Sequence, residues 1–245
     1  MPSAPRRSYR AILFDLFGTL VFFKRVSLAS SGPAALLHAD LRTAVERELP
    51  GVESDDFIAA VRDVSRTIAE ARRETHVECS SAERFRRVLE RFGVDDVAAA
   101  ERLCRAHMRG LAEATEMPAS HLEILGALAS RHRLALVSNF DHGPTAREIL
   151  HRFGLAPLLE HVVISDEFGW RKPRPEIFRS ALDALGVPAA DAIFVGDTPF
   201  EDVEGARRAE LDAAWINARG ETFPAELAPP VVTLTSLSGL VAHLR

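Results

Sequence analysis

Acidic and hydroxyl side chains recur in this sequence at the ends of short apolar runs. Asp15, Ser138 and Asp197 each follow such a run within two residues. A carboxylate can attack as a nucleophile and form a covalent intermediate, which divides one difficult displacement into two easier steps. A hydroxyl can donate a hydrogen bond to a substrate oxygen, and carboxylates bind hard divalent cations. Residues of these types at the ends of three apolar runs indicate a functional site.

The apolar runs that precede these residues predict the strands of a parallel sheet. They are residues 11–14, 134–137, 161–164, 192–195 and 213–216, with a last strand over 231–234 and a last helix over 237–244. Short continuous apolar runs suit strands buried on both faces. Helical patterns lie between them and end at glycines such as Gly154 and Gly186. The alternation predicts a doubly wound α/β fold, in which ligands bind at the carboxyl ends of the strands.

The interval between the first two long strands has only helical patterns. They cover residues 33–48, 54–73, 81–92 and 96–114. An all-helical block inserted into an α/β chain predicts a separate cap domain over residues 22–116, with the core formed by 1–21 and 117–245. Such insertions close over a site, exclude water and provide specificity contacts.

Composition and charge exclude several classes of protein. The chain has 245 residues, 47% of them hydrophobic, and a net charge of −5, without the basic face that nucleic acid requires. Two cysteines predict reduced thiols in a cytoplasmic protein, and the Arg6–Arg7 pair is not followed by an export segment. No run approaches the ~20 apolar residues of a membrane span. We expect a small-molecule substrate, and the sequence does not predict the oligomeric state.

Four motifs in order resemble those of the haloacid dehalogenase-like hydrolase superfamily. They are Asp15-Leu16-Phe17-Gly18-Thr19, Ser138-Asn139, Lys172-Pro173, and Gly196-Asp197 with Asp202. The resemblance covers essentially the whole chain, and four ordered motifs are far more specific than the first motif alone. It implies a Rossmann-like core with an inserted helical cap.

The resemblance also implies a role for each motif residue. Asp15 attacks the substrate, Ser138 donates a hydrogen bond to it, and Lys172 offsets the negative charge. The turn at Gly18 and Thr19 brings backbone N–H groups to an anionic substrate, which Asn139 also contacts. Mg²⁺ is the implied cofactor. Its implied ligands are Asp15, the backbone carbonyl of Phe17, Asp197 and, as an outer ligand, Asp202.

Structural explanations for these residues stay open at this point. Ser138 and Asn139 could cap the helix that follows them, and Lys172 could be a loop lysine before a proline. Asp202 could simply begin a helix over residues 202–208, where its charge favours the helix dipole. His142 could transfer protons, but its surroundings also suit an ordinary helix start.

Phe17 departs from the phosphatase pattern of the superfamily. That pattern has a second aspartate two residues after the nucleophile, which protonates the leaving group and is typically worth about 10²–10⁴-fold in rate. An aromatic residue there is typical of dehalogenases, because halide leaves without a proton. In contrast, the acidic run from Gly196 to Asp202 is typical of the magnesium-dependent members. Residues 36–49 do not resemble the halide site of a dehalogenase.

The acidic cluster favours a metal more strongly than Phe17 favours a dehalogenase, because three carboxylates without a cation would repel one another. The sequence therefore predicts a Mg²⁺-dependent phosphatase or phosphoryl-transfer enzyme acting on a small phosphorylated metabolite. It would prefer good leaving groups, or obtain a proton from the cap or the substrate. One alternative is a 2-haloacid dehalogenase. The other is a catalytically weak binding or regulatory relative.

Overall fold

The structure is a computed structural model that describes residues 8–24 and 33–244. The Arg6–Arg7 pair considered above lies outside the described residues, as does the side chain of Leu36. Within the described part of the chain, no helix is both long and apolar enough to cross a bilayer.

Six parallel strands form the main sheet, in the order β5-β4-β1-β6-β7-β8. Their bounds are β1 Ala11–Phe14, β4 Arg133–Ser138, β5 His161–Ile164, β6 Ala192–Gly196, β7 Asp212–Ile216 and β8 Val232–Leu234. All four residues of β1 are fully buried, as expected for a central strand that is covered on both faces. The doubly wound α/β architecture expected from the sequence is confirmed.

Short elements escaped the sequence analysis. Strands β2 (Phe22–Phe23) and β3 (Thr115–Glu116) form a separate two-stranded sheet. With two residues each they are too short for a periodic pattern to be recognised. The same holds for helix α7, which spans Ser165–Phe168.

Helices connect the strands of the main sheet. Their bounds are α5 Ala119–Ala129, α6 Gly143–Arg152, α7 as above, α8 Pro175–Leu185, α9 Gly205–Arg208 and α10 Ser238–His243. Helix α8 ends at Gly186, whose φ of 59° is the left-handed conformation that glycine adopts freely. One of its faces is buried, through residues such as Ile177, Phe178 and Leu182.

Four longer helices make up most of a second compact unit. They are α1 Pro33–Glu48, α2 Ser54–Thr75, α3 Ser81–Arg91 and α4 Val97–Glu113. Helix α2 buries one face, formed by Phe57, Ile58, Val61, Val64 and Ile68. The side chain of Ser80 caps α3 by accepting a hydrogen bond from the Glu83 N–H, and Asp96 caps α4 in the same way.

The chain divides into two compact units along these lines. One contains Met1–Phe22, Met117–Phe140 and Leu150–Arg245, and the other contains Phe23–Glu116 and Asp141–Ile149. The segment 141–149 is part of the helical unit because Asp141 is bound there. Its carbonyl accepts from the Ser81 N–H at 2.6 Å, and its carboxylate pairs with Arg84 at 2.8 Å.

The segment around Asp202 is not the simple helix over 202–208 considered above. A π-helical turn spans Pro199–Glu204, and the short α9 follows it. Pro199 stands in the first turn, and the Asp202 N–H donates to the Thr198 carbonyl at 2.9 Å. Asp202 therefore lies inside a wide turn, and its side chain points back to the start of that turn.

Candidate active site

Three neighbouring strands of the sheet bring the first, second and fourth motifs together. Phe14, the last residue of β1, is paired with Leu136 of β4 on one side and with Val195 of β6 on the other. The residues that follow these three positions therefore emerge side by side at the carboxyl edge of the sheet. This register places Asp15 between the strands that lead to Ser138 and Asp197.

Lys172 is the cation of the site and is 1% exposed. Its Nζ lies 2.5 Å from Oδ1 of Asp15 and 2.7 Å from Oδ1 of Asp202. Burial lowers the pKa of Lys172, but the two carboxylates outweigh burial and raise that pKa above its ordinary value. The side chain is therefore held as an ammonium ion, 5.1 Å from the centre of the Phe194 ring.

Burial disfavours the charged forms of the Asp15 and Asp197 carboxylates. Burial raises the pKa of Asp15 to about 7; Lys172 opposes the rise and the charge of Asp202 adds to it. Burial likewise raises the pKa of Asp197 to about 6, with a further contribution from Asp202. One lysine does not balance three acids at this edge of the sheet.

A divalent cation fits this charge imbalance. One carboxylate oxygen from each of Asp15, Asp197 and Asp202 lies within 4.8 Å of the other two. Oxygen ligands of this kind suit Mg²⁺, and a cation among them would stabilise the charged forms that burial disfavours.

Asp202 is held by an ion pair through one carboxylate oxygen and by a hydrogen bond through the other. Oδ1 contacts Lys172, and Oδ2 accepts a hydrogen bond from the Thr198 N–H at 2.8 Å. The residue is 2% exposed. A Cβ at Gly196 would collide with this side chain, so the glycine is required for its close approach. Asp202 thus orients Lys172 and the 197–198 turn.

Gly18 makes room for Asp197. Its φ is 86°, and a Cβ there would collide with the Asp197 carboxylate. Its N–H donates to the Val21 carbonyl at 2.8 Å, so that donor closes the turn. Gly18 thus closes the turn and leaves room for Asp197, and the substrate contact expected from the sequence stays a prediction.

Two hydroxyl groups of the site are buried without a hydrogen-bond partner among the described residues. They belong to Thr19 and Ser138, each 1% exposed. A buried hydroxyl without a partner costs free energy on the order of 1–3 kcal/mol. Such a cost is accounted for if the hydroxyl meets a ligand in the working enzyme.

Asn139 is bound to Lys172 through both ends of its amide. Its Oδ1 accepts from the Lys172 N–H at 2.7 Å, and its Nδ2 donates to the Lys172 carbonyl at 3.1 Å. These bonds fix the backbone of the residue whose ammonium contacts Asp15. These contacts are those of a positioning residue, and the substrate contact expected from the sequence stays a prediction.

Phe140 is a neighbour of the site that sequence reasoning missed. Its ring centre lies 4.9 Å from that of Phe17, at an interplanar angle of 41°, and both rings are half-buried. The Phe140 N–H donates to Ser165 Oγ at 2.9 Å, which fixes this position. A signal was present, because Phe140 follows Ser138 by two residues, as Phe17 follows Asp15.

Trp215 is a second residue of the site that sequence reasoning missed. Its Nε1 donates to the backbone carbonyl of Asp197 at 2.8 Å. Trp215 is paired with Gly196 across β6 and β7, and Asp197 is the next residue, eighteen positions before Trp215 in sequence. This bond fixes the backbone from which the Asp197 carboxylate projects.

Known proteins share both the sequence pattern and the fold. A family model described as haloacid dehalogenase-like hydrolase matches residues 9–210. Phosphoglycolate phosphatase of Rhodospirillum rubrum is 44% identical over 120 residues, which are 47% of this chain and 48% of that protein. Pyrimidine 5'-nucleotidase YjjG of Escherichia coli is 31% identical over 159 residues, 64% of this chain and 68% of that protein.

A solved structure with the same fold carries a different activity in its description. The 2-haloacid dehalogenase of Pseudomonas syringae superposes with a TM-score of 0.74 at 25% identity, covering 96% of this chain and 98% of that one. The match to the Rhodospirillum phosphatase spans only about half the length of either protein.

Proposed function

Since the chain belongs to the haloacid dehalogenase-like hydrolases, we propose that it is a Mg²⁺-dependent phosphatase or phosphoryl-transfer enzyme acting on a small phosphorylated metabolite. The observation that carries the proposal is the cluster of Asp15, Asp197 and Asp202 around one lysine, with carboxylate oxygens within 4.8 Å of one another. The phosphatase and nucleotidase names of the relatives described above support it.

Each residue of the cluster has a task in phosphoryl transfer. Asp15 attacks phosphorus and becomes an aspartyl phosphate. Lys172 holds the attacking carboxylate from one side and places a positive charge where the phosphoryl oxygens gather. The buried hydroxyls of Ser138 and Thr19 donate hydrogen bonds to those oxygens. Asn139 keeps Lys172 in place through its two backbone bonds.

The proposed ligands of Mg²⁺ are Asp15, Asp197 and the backbone carbonyl of Phe17, with Asp202 further out. When bound, the cation supplies positive charge that polarises the phosphoryl group and offsets the charge developing on it. Asp202 keeps both of its oxygens on Lys172 and Thr198 in this arrangement.

Residues 22–116 are proposed as the cap of the core formed by 1–21 and 117–245. Their task is to exclude water and select the substrate. Cys79 and Cys104 are thiols, which supports a reducing, cytoplasmic location.

A substrate panel tests the proposed function. Purified protein is assayed for phosphate release from monoesters and for halide release from 2-haloacids, with Mg²⁺ and with chelator. We expect phosphate release that depends on Mg²⁺, loss of this activity in Asp15→Asn, and wild-type activity in Asp183→Asn, which alters an exposed aspartate of α8. Halide release without metal, together with no phosphate from any ester, would contradict the proposal.

The dehalogenase reading is the second candidate, favoured by Phe17 and by the fold shared with the Pseudomonas enzyme. The same panel separates it, because dehalogenation by an aspartate nucleophile needs neither the cation nor a leaving-group proton. The third candidate is a binding or regulatory protein without catalytic turnover. It would retain its ligand in Asp15→Asn and show no turnover in the unaltered protein.

A further inference from the structure

The residue two positions after the nucleophile cannot handle a proton. Phe17 stands there, and a phenyl ring is neither an acid nor a base. Its ring is half-buried and packs against Phe140 at 4.9 Å between ring centres. Phe17, packed against Phe140, thus occupies the sequence position two residues after Asp15, where the phosphatase pattern of this family has its acid.

Apart from the carboxylates that the proposed function assigns to attack and to the cation, the described site offers a lysine and two hydroxyls, which are poor acids. The Nζ of Lys172 lies 2.5 Å from Asp15 and 2.7 Å from Asp202, so its donors are directed at two carboxylates. The hydroxyls of Thr19 and Ser138 are donors of hydrogen bonds and do not ionise near neutral pH. These groups are therefore poor proton donors for a leaving-group oxygen that must be protonated as it departs.

We propose that the enzyme acts on phosphate compounds whose leaving group departs as a weakly basic oxyanion, as in aryl phosphates and acyl phosphates. This inference rests on the proposed function. It makes Phe17 and Phe140 the residues that determine the leaving group. Such substrates lose the P–O bond without a proton, so the missing acid costs them little.

The reaction balances without a protein acid or base. The Asp15 oxygen forms a bond to phosphorus, and the P–O bond to the leaving group breaks with its electron pair, which gives the free oxyanion and the aspartyl phosphate. Water then attacks phosphorus, and the bond between phosphorus and the Asp15 oxygen breaks. The carboxylate is regenerated, and both hydrogens of the water leave on dihydrogen phosphate.

The test compares leaving groups within one assay. With Mg²⁺ present, kcat/KM is measured for 4-nitrophenyl phosphate, phenyl phosphate, acetyl phosphate and a simple alkyl phosphate. The quantity kcat/KM reports the step in which the leaving group departs. We expect the alkyl ester to fall below 4-nitrophenyl phosphate by on the order of 10²–10⁴, the usual size of a general-acid contribution. Similar values for alkyl and aryl esters would overturn the inference.

Two variants at one position isolate the proton. Phe17→Asp introduces a possible acid, and Phe17→Asn is its match in size without one. We expect Phe17→Asp to lower the ratio of kcat/KM for the aryl ester to kcat/KM for the alkyl ester. We expect Phe17→Asn to leave this ratio as high as in the unaltered protein. If Phe17→Asn narrowed the ratio as much, ring bulk and not the missing proton would be responsible, which would overturn the inference.

His142 serves as the control for a donor from elsewhere in the chain. Its Nδ1 accepts from the Thr145 N–H at 3.3 Å, at the start of α6. We expect His142→Asn to leave the ratio unchanged, and a widened ratio would assign the missing proton to His142 and overturn the inference.

The aryl and acyl arms distinguish the two sources of a weakly basic oxyanion. If ring contact selects aryl groups, Phe140→Ala is expected to raise KM for 4-nitrophenyl phosphate and to leave KM for acetyl phosphate unchanged. If acyl phosphates are the natural class, Phe140→Ala is expected to leave KM unchanged for both substrates. A raised KM for acetyl phosphate alone would overturn the role of Phe140. Failure of the proposed function looks different, because then no ester in the panel releases phosphate.

Discussion

Adding one methyl group at Gly18 tests how the turn and the acidic cluster depend on each other. Gly18 has a φ of 86°, in the left-handed region that costs an ordinary L-residue roughly 1–2 kcal/mol. The Gly18→Ala variant therefore pays this backbone cost wherever its methyl group lies. For a chain of this size the cost corresponds to a loss of about 2–8 °C in Tm.

The methyl group of Gly18→Ala has a second effect, on Asp197. It would collide with the Asp197 carboxylate, and the backbone of Asp197 is held by β6 and by the Trp215 N–H at 2.8 Å. Only the side chain is free to turn away, which carries its oxygens away from Asp15. Disturbing groups that support a metal site typically costs about 10–100-fold in metal affinity or activity, and we expect at least this loss.

Gly51→Ala is the matched control. Gly51 has a φ of 99°, and no atom lies within 4 Å of a Cβ built there. The two variants should therefore lose similar stability and differ in catalysis. The assay measures Tm without metal and kcat/KM with 4-nitrophenyl phosphate across a Mg²⁺ titration. If Gly18→Ala matched Gly51→Ala in both its Mg²⁺ requirement and its kcat/KM, the proposed dependence of the metal site on Gly18 would be refuted.

Three further predictions concern ion pairs. Lys172→Met should destabilise the fold by about 3–5 kcal/mol in urea unfolding, because it leaves the buried Asp15 and Asp202 uncompensated, and a smaller loss would contradict that pairing. Asp141→Asn should cost about 1–3 kcal/mol in the same measurement, since Arg84 loses a charged partner at 2.8 Å, and unchanged stability would contradict the anchoring of segment 141–149. Hydrogen bonds from Arg207 and Arg208 lower the pKa of Glu204 to about 2. The ionised Glu204 therefore stabilises the folded state at pH values above its unfolded pKa near 4.5, and this contribution is lost as the pH falls towards 2. Acid titration of stability should therefore be steeper in the unaltered protein than in Glu204→Gln, and equal slopes would contradict the shift.

The strands that position the nucleophile were predictable because burial on both faces leaves a local mark. The run Ala11–Phe14 is apolar at every position and is buried at every position. Helix α2 was predictable for a similar reason, since its buried face repeats with helical spacing. Both signals lie within a few residues, which is the range over which a single sequence can be interpreted.

The partners within the site were not predictable, because they are distant in sequence. Asn139 holds Lys172 across thirty-three positions, and Trp215 holds Asp197 across eighteen. A tryptophan in a strand reads as an ordinary core residue until its N–H is seen to donate to a carbonyl. The inclusion of residues 141–149 in the helical unit likewise depends on Asp141 and Arg84, fifty-seven positions apart.

The conflict between Phe17 and the acidic fourth motif has a physical resolution, because the two features act on different parts of the substrate. In the proposed mechanism, Asp197 and Lys172 act on the charge of the phosphoryl group that is transferred, whereas Phe17 and Phe140 determine which leaving group is accepted. An aromatic residue after the nucleophile removes a proton donor and leaves the carboxylate cluster intact. In the proposed function Asp15 attacks in either case, while the bond that breaks depends on two separate sets of side chains. Phe17 variants should therefore alter the dependence on the leaving group, and Gly18 variants the dependence on Mg²⁺.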